Sequence, residues 1–172
     1  MKKIILPLVL VVCFFGESIF VGLFPAEAFS GQRIIVPRFL LTALILMAIY
    51  YVKKRTLLYA FIFGLLYDAF YTEVLGVYLF LFPFAVYLTS KIMKILHTHL
   101  IMAGVITIVN ITIVEFFVYE FNVLVLNAEM TLTEFGDIRL WPTLVLNLAF
   151  FIIFSYPLKE LILYMKKIEF ES

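Results

Sequence analysis

The sequence contains little that is typical of an enzyme or of a disulfide-bonded domain. Cys13 is its only cysteine, so an internal disulfide is excluded, and its place in an apolar run is typical of a small buried residue. The chain has no HExxH zinc-binding helix, no GxSxG nucleophile elbow and no glycine-rich phosphate loop. His97 and His99 are more typical of a solvated turn than of a metal site. We therefore predict no catalytic residue, no cofactor and no metal site.

Charge is also scarce, since only 15% of the residues are charged and the net charge is +1. A balance this close to neutral gives no sign of a nucleic-acid partner. Hydrophobic residues make up 65% of the chain, whereas a soluble domain holds roughly 45–50%. They form runs along nearly the whole sequence, and no connection between the runs is long enough for a soluble domain. The composition predicts an all-α integral membrane protein.

The apolar runs divide into six candidate membrane spans. A helix needs about 20 apolar residues to cross the hydrocarbon core of a bilayer. Pro37 and Arg38 open the second run, and Trp141 with Pro142, which suit the membrane interface and the first turn of a helix, open the sixth. We predict one domain, residues 1–172, forming a single bundle of six transmembrane helices at 4–24, 35–52, 56–71, 76–94, 100–121 and 141–164.

A cleaved signal peptide is the alternative interpretation of the first run. Lys2 and Lys3 give it a basic start, and Ala26-Glu27-Ala28 resembles a cleavage site. The run covers 21 residues, however, whereas a signal core spans about 7–15. Its many Ile, Leu, Val and Phe residues also outweigh the cost of placing Glu17 in the membrane. We therefore expect it to be retained as the first span.

Basic residues are divided unequally between the two ends of the predicted bundle. With six spans both termini lie on the same side, which holds ten of the 13 basic residues, while Arg33, Arg38 and Arg139 lie on the other. Basic residues favour the cytoplasmic side of a membrane. We therefore predict that both termini are cytoplasmic and that the connections 25–36, 72–76 and 122–140 face outward.

Residues 61–78 are expected to organise the bundle. Ala60, Gly64 and Asp68 recur every four residues and so share one helix face. Small residues allow a neighbouring helix to approach closely, and an acid on the same face avoids lipid. We expect this stretch to be an inner helix, around which the others pack, that turns back at 72–76.

Five polar side chains on five predicted helices lie at the level of the outer leaflet. Because buried charges are normally paired or neutralised, we hypothesise that several converge inside the bundle, where Arg38 partly compensates the acids. The alternative is that some of the acids merely reach the outer interface. The members of this candidate outer-leaflet cluster are Glu17, Arg38, Asp68, Glu115 and Asn147.

In the long outer connection, Thr131 and Glu134 match the spacing of a capping box.

Three short motifs follow one another in a distinctive order: PRFLL at 37–41, FGLLYD at 63–68 and LGVY at 75–78. With this spacing, and with its length and hydropathy, the chain resembles the bacterial rod shape-determining family MreD. Gly64, Asp68 and Gly76 match positions of the family pattern. We assign them to helix packing and turn geometry before any binding role. Beyond Tyr78 the resemblance rests on hydropathy alone.

The resemblance implies a role in the machinery that elongates rod-shaped bacteria. Such proteins are multi-pass proteins of the cytoplasmic membrane that act as non-catalytic scaffolds, coupling cytoskeletal filaments to lateral peptidoglycan synthesis. The implied partners are an MreC-like single-span protein, an MreB-like actin homologue, a RodA-like polymerase and a class B penicillin-binding protein, besides membrane lipid.

A solute transporter is the main alternative function. The solute-capture subunit of an energy-coupling-factor vitamin importer has a similar length and often six spans, and the outer polar cluster would suit a captured solute. Such subunits tend to carry an Ala-x-x-x-Ala pair on the first helix, but residues 4–24 contain no alanine. A membrane enzyme is a third alternative, against which the missing catalytic motifs argue.

Overall fold

The structure, a computed structural model, describes residues 4–25, 33–72, 74–94 and 99–171, and within these ranges every regular element is helical. Lys2, Lys3, Ala26-Glu27-Ala28 and His97 lie outside the described residues. The elements are α1 (Ile5–Leu23), α2 (Phe39–Tyr50), α3 (Lys53–Tyr71), α4 (Val77–Ile92), α5 (Leu100–Val125), α6 (Leu132–Glu134), a π-helical stretch (Phe135–Leu140) and α7 (Trp141–Glu171). The predicted all-α architecture is confirmed.

Three of the described helices are long and apolar enough to cross a membrane. They are α1, α5 and the continuous helix Leu132–Phe170, which joins α6, the π-helical stretch and α7. α2 and α4 are apolar but shorter. α3 has 19 residues, and its first three are basic. This set of helices is consistent with the predicted bundle of six.

α2 is the central helix of the bundle. Every residue from Leu40 to Ala48 is buried, and the helix packs against α1, α3, α4, α5 and α7. Its 12 residues extend only about 18 Å, which is less than the hydrocarbon thickness of about 30 Å. α2 therefore lies largely inside the protein, where its neighbours separate most of its surface from lipid.

The expectation that residues 61–78 form the centre of the bundle is wrong. α3 buries one face, which includes Ala60, Gly64 and Asp68, and exposes Phe61 and Leu65 on the other. In a membrane protein, lipid-facing and buried surfaces are both apolar, because lipid tails are as apolar as leucine. Hydropathy therefore does not reveal which of two apolar helices lies inside.

Two predicted boundaries also differ from the structure. The second helix begins at Phe39 rather than at residue 35, because Pro37 disfavours a helical conformation of the residue before it. The predicted connection 122–140 is mostly helical, since α5 continues to Val125 and the next helix starts at Leu132. Of this connection, only residues 126–131 lie outside helices.

The helix after this connection begins with the capping box that its sequence predicts. The Thr131 hydroxyl accepts a hydrogen bond from the Glu134 backbone N–H at 3.3 Å. The Glu134 carboxylate accepts one from the Thr131 backbone N–H at 2.8 Å. The capping box therefore fixes the start of the continuous helix at Leu132.

Candidate functional site

Arg38, at the start of α2, is buried with 1% of its surface exposed. Its Nε donates to Glu115 Oε1 at 2.6 Å, and its Nη2 lies 2.6 Å from the same oxygen. The hydroxyls of Tyr67 and Tyr78 accept from Nη1 and Nη2 at 3.0 and 2.7 Å. The guanidinium carbon also lies 4.9 Å from the Tyr78 ring centroid, within cation–π range. α2, α3, α4 and α5 thus converge on one side chain.

Glu115 joins this arginine to a second one. The acid is fully buried, and its Oε2 accepts a hydrogen bond from Arg139 Nε at 2.9 Å. Arg139 comes from the π-helical stretch and keeps 17% of its side chain exposed. One carboxylate therefore lies between two guanidinium groups, and these three side chains carry one net positive charge.

Asn147 and Thr143, on α7, bind the extended backbone that leads into α2. Asn147 Oδ1 accepts from the Arg38 backbone N–H at 2.7 Å, and its Nδ2 donates to the Val36 carbonyl at 2.9 Å. The Thr143 hydroxyl accepts from the Val36 N–H at 3.1 Å. Non-helical backbone at membrane depth requires such partners, because no water is there to replace them. α7 thereby satisfies the hydrogen-bonding groups of the non-helical backbone that precedes α2.

Glu17, on α1, anchors the first turn of α2. Its Oε1 accepts the Leu40 backbone N–H at 2.8 Å, where the positive end of the helix dipole favours a carboxylate. Only 3% of Glu17 is exposed, and its Oε2 has no hydrogen-bond partner of standard geometry among the described residues. Arg38 and Tyr67 lie near enough to interact with it electrostatically.

Asp68, on α3, anchors the first turn of α4 in the same way. Its Oδ1 accepts the Tyr78 N–H at 2.8 Å, and its Oδ2 accepts the N–H groups of Gly76 and Leu79, each at 2.9 Å. These groups have no partner within the helix, so the acid satisfies donors that would otherwise be unpaired. Each of the two short apolar helices, α2 and α4, thus has a carboxylate from the preceding helix bound to backbone N–H groups at its start.

Two glycines make the α3–α4 hairpin possible. A Cβ added to Gly64 would lie 2.5 Å from the Tyr78 carbonyl oxygen, so only glycine fits between α3 and the start of α4. Gly76 has φ +113°, which side chains rarely adopt, and it forms the turn. The three positions singled out from the sequence, Gly64, Asp68 and Gly76, therefore all lie in this hairpin.

The structure joins three of the five sequence-derived cluster residues directly: Arg38, Glu115 and Asn147. Glu17 reaches them through the backbone of α2. Asp68 makes no hydrogen bond to any of them, but Tyr78 binds both it and Arg38. We use the name charged network for Glu17, Arg38, Tyr67, Tyr78, Glu115, Arg139 and Asn147.

Sequence reasoning missed Tyr67, Tyr78, Arg139 and Thr143. Tyrosines are plentiful in this chain, so two of them carried no special signal, although both fall within the family motifs. Arg139 lies in the predicted connection 122–140, and its place just before the interfacial Trp141 is the signal that could put it at the level of Glu115. Among the described residues, no group of three or more His, Cys, Asp or Glu side chains could hold a metal ion.

Comparisons with known proteins agree on one family. The family model described as rod shape-determining protein MreD matches residues 2–167. The rod shape-determining protein MreD of Bacillus subtilis (strain 168) is 36% identical over 167 residues, which cover 97% of this chain and 97% of that protein. No solved structure matches the chain.

Proposed function

This chain belongs to the MreD family of rod shape-determining proteins, and from that membership we propose that it is a non-catalytic scaffold of the bacterial elongation complex. Membership supports a role in rod shape determination and, with the apolar helices, a multi-pass membrane protein. The finer proposal is that it lies in the cytoplasmic membrane and couples cytoskeletal filaments to lateral peptidoglycan synthesis. The observation that carries the proposal is the family match over nearly the whole chain.

The proposed partners are an MreC-like single-span protein, an MreB-like actin homologue, a RodA-like polymerase and a class B penicillin-binding protein. The described residues form one helical bundle with short connections. Partners within the membrane would therefore bind its lipid-facing helix surfaces, and partners outside it would bind helix ends and turns. With both termini cytoplasmic, the end richer in basic residues faces the filament and the charged network lies towards the wall.

We assign the charged network a structural part in this function. A scaffold must present its surfaces in a fixed arrangement, and buried polar networks with satisfied hydrogen bonds favour one arrangement of a core. Arg38 binds side chains from α3, α4 and α5, and its own backbone is bound by α7. The proposal is that these contacts hold α2 at one depth and thereby set the positions of the outer helices.

Depletion of the protein in its own host tests the scaffold proposal. The cell outline and the uptake of vitamins are followed together while the protein is removed, and a plasmid copy of the wild-type gene serves as the control. A scaffold predicts rounded, swollen cells with normal uptake. Rods that keep their shape would contradict the proposal.

Solute capture is the second candidate, and one observation favours it. A cavity of about 260 Å³, lined in part by Tyr78 and Arg139, lies beside the charged network. If the protein captures a vitamin, depleted cells keep their rod shape and grow only when that vitamin is supplied at high concentration. The depletion experiment therefore separates the two functions.

A further inference from the structure

The cavity beside the charged network is rich in hydrogen-bond donors. Arg139, Tyr78 and Asn122 are among the residues that line it. Arg139 uses its Nε for Glu115, and its Nη atoms have no acceptor among the described residues. The Tyr78 hydroxyl accepts from Arg38 and keeps its own proton to donate. The Asn122 side chain makes no hydrogen bond to any described residue. Donors without acceptors favour a ligand that carries oxyanion oxygens.

The charges around the cavity point to the same ligand. Glu17 and Glu115 together match the two arginines in charge, and Arg139 is the arginine that faces the cavity. Glu17, on α1, accepts a hydrogen bond from the start of α2 and interacts with Arg38. Asp68 already accepts three backbone N–H groups. Among these described groups, Arg139 is therefore the cation whose Nη donors remain available to a bound anion.

An apolar groove of about 510 Å³ continues from this cavity between α4 and α5. The cavity and the groove share Val74, Val77 and Phe121. The groove extends along Phe80, Phe117 and Leu124, which are exposed side chains on the surface of the bundle. Glu120 also lines the groove and disfavours a second negative charge there. A donor-rich cavity joined to an apolar groove matches a molecule with an anionic head and an apolar tail.

We infer that the cavity and the groove together bind one phospholipid molecule. Its phosphate lies at Arg139 and Tyr78, and one acyl chain lies in the groove between α4 and α5. A free phosphate would share the chemistry of the head but would leave the groove empty. The adjoining apolar groove is the reason to assign the site to a lipid.

A lipid titration of the purified full-length chain tests this assignment. Native mass spectrometry follows binding of the first dioleoyl phosphatidylglycerol to protein stripped of lipid in detergent. Dioleoylglycerol, which lacks the phosphate, is the first comparison, and inorganic phosphate is added as a competitor. We expect phosphatidylglycerol to bind about tenfold more tightly than dioleoylglycerol, since hydrogen bonds to a charged group are stronger than those to a neutral one. We also expect inorganic phosphate not to displace it.

Two variants locate the lipid. Arg139→Gln removes the charge, and Arg33→Gln, an exposed residue outside the cavity, is the matched control. We expect affinity for phosphatidylglycerol to fall about tenfold in Arg139→Gln only, as the loss of a charged hydrogen bond predicts. Asn122→Phe fills the cavity and leaves both arginine–Glu115 pairs intact, so it decides the matter if Arg139→Gln fails to fold. We expect the same loss in that variant.

Three results would overturn the inference. The first is unchanged affinity in a folded Asn122→Phe variant, with folding checked by its melting temperature. The second is equal binding of dioleoylglycerol and phosphatidylglycerol, which would show a merely apolar groove. The third is displacement of the lipid by inorganic phosphate, which would assign the cavity to a free anion.

Discussion

At the scale of single residues, Arg38 and Glu115 depend on each other. Both are almost completely buried, and a charge at membrane depth is costly unless it is paired. Arg38 also binds two tyrosine hydroxyls, and Glu115 also binds Arg139. Each charge is therefore compensated by several neighbours rather than by one, and the loss of either leaves the others unsatisfied.

Replacing Arg38 by alanine should prevent stable folding. Removing one partner of a buried ion pair typically costs about 3–5 kcal/mol. Here Glu115 keeps Arg139, but its Oε1 and two tyrosine hydroxyls lose the guanidinium that they bind. Arg38→Lys should also lower stability, since an ammonium group does not reproduce the fork of the guanidinium. The effect is measured as the melting temperature in detergent, for which size-exclusion chromatography of a fluorescent fusion detects the protein that stays folded. Arg33→Ala is the exposed control, and equal melting of Arg38→Ala and Arg33→Ala would disprove the compensating role of Arg38.

Gly64→Ala tests the close approach of α3 and α4. The new Cβ would meet the backbone oxygen of Tyr78 at 2.5 Å. Overpacking of this kind costs typically about 1–3 kcal/mol. Gly16→Ala in α1 is the matched control, since a Cβ there has nothing within 4 Å, and glycine in a helix is about 0.5–1 kcal/mol less favourable than alanine. We expect the melting temperature to fall for Gly64→Ala and to stay level or rise for Gly16→Ala. The same shift in both variants would contradict the packing argument.

At the scale of elements, the short helices α2 and α4 have a common design. Each follows a longer helix whose inward-facing acid binds the backbone N–H groups of its first turn: Glu17 for α2 and Asp68 for α4. Helix ends need such partners, and within a membrane water does not supply them. The acids therefore give both helix starts hydrogen-bond partners that do not depend on water.

Asp68→Asn should loosen the start of α4. An asparagine offers one acceptor oxygen, whereas the carboxylate accepts three N–H groups through two oxygens. Each unsatisfied buried donor costs about 1–3 kcal/mol. Hydrogen exchange of the amides of Gly76, Tyr78 and Leu79 should rise roughly tenfold or more, because 1.4 kcal/mol corresponds to a factor of ten.

Glu129→Gln, an exposed acid outside the helices, is the control for that experiment. In this variant, the backbone amide of residue 129 and the amides of α4 should exchange at the wild-type rate. Unchanged exchange at the start of α4 in Asp68→Asn would show that the carboxylate does not stabilise the turn.

The elements also show how much of the site the sequence determines. The level of Arg38, Glu115 and Asn147 follows from counting residues along each span, and the structure brings these three together. Arg139 cannot be placed in this way, because the sequence predicts a connection, not a helix, for the segment that carries it. The central position of α2 was hidden by uniform apolarity, since burial in protein and exposure to lipid select the same side chains.

At the scale of the whole molecule, the continuous helix that ends the chain is longer than a bilayer is thick. It covers 39 residues from Leu132 to Phe170, or about 58 Å at 1.5 Å per residue, against a hydrocarbon core of about 30 Å. A helix of this length that crosses the membrane has its two ends at opposite membrane faces or beyond them. Since the basic residues predict cytoplasmic termini, we predict that the end at Leu132 lies outside.

Cysteine labelling tests this orientation. Cys13 is buried and is the only cysteine, so a Cys13→Ala background allows one new thiol at a time. Glu129→Cys and Phe170→Cys replace exposed residues near opposite ends of the long helix. A membrane-impermeant maleimide should label Glu129→Cys in intact cells, and it should label Phe170→Cys only after the membrane is opened. The reverse pattern would place the termini outside and the charged network near the cytoplasm. Labelling of both in intact cells would mean that the long helix does not cross the membrane.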